Sequence, residues 1–154
     1  MVRQKYEIEK SDMGKLFHVS CNPNLTSLIP LIPANAVAGF EDYWTPRICF
    51  STSIGKCLMA MEPYEPILYV FTPLLNEKYH GARFIKPSPY MVTDADFTDE
   101  HWCLNEIDVE CIGSITNWRI TEKKYKNSGV KKRLCVKTYE YDFTPIEMRN
   151  LNVY

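Results

Sequence analysis

Three short segments of this chain carry the side chains best suited to chemistry. The first is Leu16-Phe17-His18-Val19-Ser20, where His18 and Ser20 alternate with apolar neighbours. Residues two apart on a strand share a face, so an imidazole and a hydroxyl are offered together to one polar ligand. A lone histidine between Phe17 and Val19 is also what a satisfied core residue looks like. The second is Arg47-Ile48-Cys49-Phe50-Ser51-Thr52-Ser53, a strand pattern that ends in the hydroxyls of Ser51, Thr52 and Ser53. Its plain alternative is a turn whose last serine caps a helix. The third is Asp99-Glu100-His101-Trp102-Cys103-Leu104, where Glu100 opens an otherwise apolar strand, either as a surface terminus or as a placed carboxylate. Other constellations are missing: the chain has no G-x-x-x-x-G-K, G-x-G-x-x-G, G-x-S-x-G or H-E-x-x-H run. With only His18, His80 and His101 present, a histidine-rich metal site is not expected.

The elements that must hold these segments are mostly strands. Alternation and β-branched or aromatic enrichment predict strands over 15–20 and 46–51, separated by a loop at 22–45 in which Pro23, Pro30 and Pro33 forbid a long helix. A short helix follows Ser53 and is ended by Pro63 and Pro66. Residues 66–72 form the most apolar run of strand length and are expected at the centre of a sheet. Residues 74–89 read as a loop with at most one short strand, at 82–85. Strands at 100–104 and 107–115 meet in a tight turn near Asn105. A hairpin of 118–125 and 132–143 surrounds Asn127-Ser128-Gly129, and Thr144-Pro145-Ile146-Glu147 predicts a cap and a short terminal helix. With neither repeat nor linker, residues 1–154 are expected to form a single strand-dominated α+β domain.

Composition agrees. Hydrophobic residues at 45% and charged residues at 24% exclude collagen-like and largely disordered chains. A net charge of -1 argues against a bulk electrostatic grip on nucleic acid, although it leaves room for a local patch. Such a patch is visible in Arg119, Lys123, Lys124, Lys126, Lys131, Lys132, Arg133 and Lys137, with Glu122 the only acid among them. It is either a solvated hairpin tip or a docking surface for an acidic protein or nucleic acid. No apolar run approaches the roughly 18–20 residues that span a bilayer, and the first ten residues lack a signal-like stretch, so a cytoplasmic location without membrane contact is expected. Cys21, Cys49, Cys57, Cys103, Cys111 and Cys135 form no C-x-x-C pair and are expected to be reduced, buried thiols.

The order of the three segments, a strand with His-x-Ser, a strand-to-helix turn and a glutamate opening a late strand, resembles the ADP-ribosyltransferase superfamily. Ile48-Cys49-Phe50-Ser51, with Lys56 six residues after Phe50, is similar to the second motif of poly-ADP-ribose-polymerase-like domains, Ile-Tyr-Phe-Ala followed by Ser-Lys-Ser. Ser51-Thr52-Ser53 is similar to the Ser-Thr-Ser of the arginine-directed toxins in that superfamily, and the likeness covers about residues 16–115. It implies two small, mostly antiparallel sheets facing each other, with few short helices and a nucleotide cleft. It also implies NAD as the substrate and mono-ADP-ribosylation of a protein acceptor of unknown identity. Toxins and phage-encoded host-takeover or anti-defence factors are proteins of this kind.

By the resemblance, Glu100 is the catalytic acid and acts through a ribose hydroxyl, stabilising the positive charge that develops on the sugar as nicotinamide leaves. His18 binds the adenine-side ribose, the Val19 main chain holds the nicotinamide amide, and Ser20, Ser51, Thr52 and Ser53 complete the polar wall. The sequence departs from the family at three points. Val19 stands where the polymerase-like branch usually has Gly, Ala60 falls at its stacking tyrosine, and Cys57 falls at the serine three residues earlier. Either Tyr43, Trp44, Tyr64, Tyr79 or Tyr90 supplies the stacking, or the pocket takes another nucleotide. The alternative function is therefore a catalytically silent binder of NAD-derived or cyclic nucleotides. A 2'-phosphotransferase is less favoured, because the chain lacks that family's amino-terminal basic domain and arginine set.

Overall fold

In the computed structural model, the described residues are 4–7, 16–33, 42, 44–74, 83–88, 90–91, 95–127 and 133–146. In chain order the elements are β1 (Gln4–Glu7), β2 (His18–Ser20), β3 (Ser27–Leu28), β4 (Ile48–Ser51), α1 (Ile54–Met61), β5 (Leu68–Pro73) and β6 (Arg83–Lys86). They continue with α2 (Ala95–Thr98), β7 (Glu100–Cys103), β8 (Ile107–Lys126) and β9 (Leu134–Pro145). Two antiparallel sheets result, one in the order β1-β6-β7-β4 and one in the order β2-β5-β8-β3 with β9 paired to β8. The architecture is thus mostly β, with one helix of two turns, and is compatible with an α+β domain.

Strand alternation explains the core. Ile48 and Phe50 of β4, Phe71 of β5, Phe84 of β6, Cys103 of β7 and Ile107 and Val109 of β8 form one buried cluster to which both sheets contribute. Burying a side chain of the size of Phe50, Phe71 or Phe84 stabilises by about 1.5–3 kcal/mol, so this cluster is what holds the sheets together. A second cluster sits beneath α1 and contains Val19, Cys57, Leu58, Leu68, Val70 and Ile115. A third holds Ile85, Met91, Ala95 and Trp102. The helix α1 has the boundaries its sequence predicts. The Ser53 side chain accepts from the Lys56 N–H, and Glu62 closes the other end in the left-handed region at φ 51°, with its N–H bonded to the Leu58 carbonyl just before Pro63.

Other expectations are modified. The run 66–72 yields β5 from Leu68 onward, with Pro66 and Ile67 left outside it, and β5 lies inside its sheet between β2 and β8. The expected breaks at 115 and 118 do not divide the chain: β8 is one strand of 20 residues. A register shift between Thr116 and Arg119, with Asn117 at φ 54°, absorbs the irregularity. Thr144 and Pro145 belong to β9 rather than to a helix start, because they pair with Ser114 and Gly113. The residues beyond Ile146 lie outside the described residues, as do Ser128 and Gly129 of the predicted turn. The loop at 22–45 carries β3 and a bridge from Leu31 to Arg47. β1 and α2 had no sequence signal; each is only four residues long. All six cysteines are free thiols, but only Cys57 and Cys103 are buried; Cys49 and Cys111 are half-buried, and Cys21 and Cys135 are exposed. Among the described residues, no helix is long and apolar enough to cross a membrane.

Candidate functional site

Glu100 opens β7 directly opposite Ser51, the last residue of β4. Opposite residues of an antiparallel pair project from the same face, and Cys49, two residues before Ser51, shares it. The Glu100 side chain is buried, the residue being 7% exposed. Burial, followed by the Glu100 charge, pushes the Cys49 thiol well above its ordinary range despite Arg47 nearby. Cys57, reaching the same place from α1, is pushed up to about 12, mainly by burial, with the Ser51 hydroxyl opposing and Glu100 adding to the rise. Its thiol donates to the Phe17 carbonyl at 3.1 Å. Both thiols therefore stay protonated near neutral pH.

The strand that carries His18 meets the same corner. Phe17 and Ser51 exchange two backbone hydrogen bonds of 2.8 and 2.9 Å, the bridge by which the two sheets touch. Beyond it they part. Continued antiparallel pairing would set Val19 against Cys49, but β2 turns to β5 and the imidazole of His18 enters the gap, its Nδ1 at 2.9 Å from the Cys49 carbonyl. A carbonyl only accepts, so Nδ1 carries the proton and Nε2 is left as an acceptor. The ring stands edge-on to Phe50, with centroids 5.9 Å apart. Burial lowers the His18 pKa, partly offset by the bond to Cys49, so the neutral imidazole is favoured.

His18 thus lies on the Phe50 face of β4, whereas Glu100 and Ser51 lie on the other face. The strand runs between them. The side chain of Val19 is buried beneath α1. Its N–H and C=O point to the same side as those of Phe17, into the gap between β2 and β4.

The remaining hydroxyls are used locally. Ser20 Oγ accepts from the Asn22 N–H at 3.1 Å, Ser53 is the helix cap, and the Thr52 hydroxyl donates to the Asp99 carboxylate. Asp99, in the left-handed region at φ 51°, also meets Lys86 at 3.4 Å and Lys56 at 3.6 Å. Burial works to raise its carboxyl, but the Thr52 bond and the two ammonium groups outweigh that and hold it below the usual range. In the sequence Asp99 is marked only by its place before Glu100. A second network missed there shapes the entry to β4. Asp42 accepts from the backbone of Trp44 and Thr45 and from the Thr45 hydroxyl. Arg47 donates to the carbonyls of Asp42 and Thr45, and its guanidinium lies 4.0 Å over the Trp102 ring.

Of the aromatic residues weighed for stacking, Trp44, Tyr64 and Tyr90 are exposed, while Tyr43 and Tyr79 lie outside the described residues. Tyr64 lines a groove of about 480 Å³ with Pro66, Ile67, Thr116, Asn117 and Trp118, none of them a residue of the corner around Glu100. Ala60 is exposed on α1, and among the described residues no group of three or more His, Cys, Asp and Glu is placed to hold a metal. Comparison of the chain with protein-family models, with curated proteins and with solved structures finds no match.

Proposed function

We propose that the chain is an ADP-ribosyltransferase-like domain that cleaves NAD and transfers ADP-ribose to a protein acceptor. The observation that carries this is the register of β4 and β7. It sets the hydroxyl of Ser51, at a strand-to-helix turn, against the carboxylate of Glu100, beside the strand that bears His18. In the reaction the bond between the ribose carbon and the nicotinamide nitrogen breaks and its electron pair leaves with nicotinamide. A nucleophile of the acceptor then bonds to that carbon and gives up its proton. The Glu100 carboxylate supplies negative charge through a ribose hydroxyl as the sugar becomes cationic. In this reading His18 accepts a hydroxyl of the adenine-side ribose at Nε2, and the Val19 main chain holds the nicotinamide amide.

A second reading, a silent binder of NAD-derived or cyclic nucleotides, is favoured by a separate observation. His18 and Glu100 occupy opposite faces of β4, and the residue at the stacking position is Ala60. One experiment divides the two: purified protein is incubated with NAD and a cell lysate, and nicotinamide release and nucleotide binding are followed together. Release with turnover supports transfer, binding without release supports the binder, and the absence of both refutes each.

A further inference from the structure

The charge of this chain is not evenly spread. Of its 18 Lys and Arg, eight lie between Arg119 and Lys137, against one of its 19 Asp and Glu, so that segment carries +7 and the remainder -8. The near-zero net charge conceals two opposed poles. The structure gives the positive pole a shape, since the outer parts of β8 and β9 form a two-stranded ribbon whose β8 side is exposed from Arg119 to Lys126.

Part of that charge is neutralised internally, by Arg119 on Glu140 at 3.1 Å, Lys124 on Glu122 at 3.2 Å and Lys137 on Glu62 at 3.6 Å. Lys123, Lys126 and Arg133 have no acid within ion-pair distance among the described residues. Lys123 stands directly opposite Lys137, so the ammonium that Glu62 does not meet faces a second cation across the ribbon. Between these cations sits Tyr125, 61% exposed, with the Arg133 guanidinium 4.2 Å over its ring. Cations spaced along a ribbon around an exposed, guanidinium-backed aromatic ring are the two components of a single-strand binding surface: charge for the phosphates and a platform for a base.

We infer that the ribbon end around Lys123, Tyr125, Lys126 and Arg133 docks a single-stranded nucleic acid, holding its phosphodiester backbone by charge and stacking one base on Tyr125. An acidic protein segment would use the same charge but has no need of the ring. The surface shares no residue with the corner around Glu100, although Lys126 lies 5.8 Å over the Phe97 ring of α2, and it is tested with oligonucleotides rather than NAD, so it stands or falls apart from the proposed transfer reaction.

The test uses the full chain and a dye-labelled oligouridine of about 16 nucleotides, with oligothymidine, a duplex of the same length and polyglutamate in parallel, read by fluorescence anisotropy. Three engaged cations predict a slope of log affinity on log salt near -2. A rise from about 50 to about 200 mM salt then weakens single-strand binding by about 20-fold. Tyr125→Ala is expected to weaken it by at least about 5-fold with the salt slope unchanged, whereas Arg133→Ala and Lys123→Ala each make the slope shallower by about 0.7. Unchanged melting temperatures of these surface variants show that they remain folded. The inference is overturned if no oligonucleotide binds at low salt, or if duplex or polyglutamate binds as tightly as the single strands. Single-strand binding that is indifferent to Tyr125→Ala overturns it equally.

Discussion

Replacing His18 by alanine tests how the gap between β2 and β4 is filled. The ring bonds the Cys49 carbonyl at 2.9 Å and packs against Phe50, and both partners lie in the seam where the sheets part. Losing the donor leaves a carbonyl unsatisfied at about 1–3 kcal/mol, and losing the ring opens a void. The sum is about 3 kcal/mol, which for a domain of this size lowers the melting temperature by about 6–12 °C. The loss should also depend on pH. Because burial lowers the His18 pKa in the fold, the unfolded chain takes a proton near pH 6.5 that the folded chain refuses. The stability that wild type draws from neutral His18 is therefore complete above that pH and erodes below it, by up to about 1.4 kcal/mol per pH unit, until the folded pKa is reached. The variant has no such group, so its deficit against wild type should narrow between about pH 7.5 and 5.5. Asp42 and Asp99, whose carboxyls are held below their ordinary 3.8, lose their contribution only at lower pH and do not enter this window. Calorimetry of both proteins across that range is the assay. Equal melting temperatures at neutral pH, or parallel pH curves, would refute the buried, hydrogen-bonded His18.

Three further outcomes are expected. Glu100→Gln keeps the shape of the side chain and should lower ADP-ribose transfer by about a hundredfold while NAD affinity changes by a few-fold at most; equal turnover removes Glu100 from the reaction. Gly113→Ala should destabilise by about 1–3 kcal/mol in urea titration, because the added carbon would meet Phe143 at 2.5 Å and the backbone oxygen of Thr144 at 2.6 Å. A wild-type midpoint would show that β8 and β9 lie farther apart there. Asp99→Asn should destabilise the chain at neutral pH. The stabilising effect of the Asp99 carboxylate is present above its unfolded pKa of 3.8 and vanishes as pH falls through the lower folded value, so in acid the two proteins should converge. A gap that persists at pH 2 would place the cost in the hydrogen bond from Thr52 rather than in the charge.

Local chemistry was legible in the linear chain. The alternation of 46–51 and the apolar run of 66–72 pointed to strands that form at 48–51 and 68–73, and Ser53 and Pro63 bounded α1, because caps, prolines and period-two patterns act on neighbours in sequence. The same local logic misread the β8 region as two strands, since it had no way to weigh the pairing with β9 that carries the backbone through Asn117. The type of each candidate residue was also given by sequence, but not its neighbours. That Ser51 faces Glu100, and that His18 fills the gap where pairing with Cys49 would have continued, follow from strand registers set by residues tens of positions apart. Register is chosen by which faces can be buried at once, and a shift of one residue would exchange the faces of Phe50 and Ser51. The close packing of Phe50, Phe71 and Phe84 forbids that exchange, and it exists only once both sheets have formed.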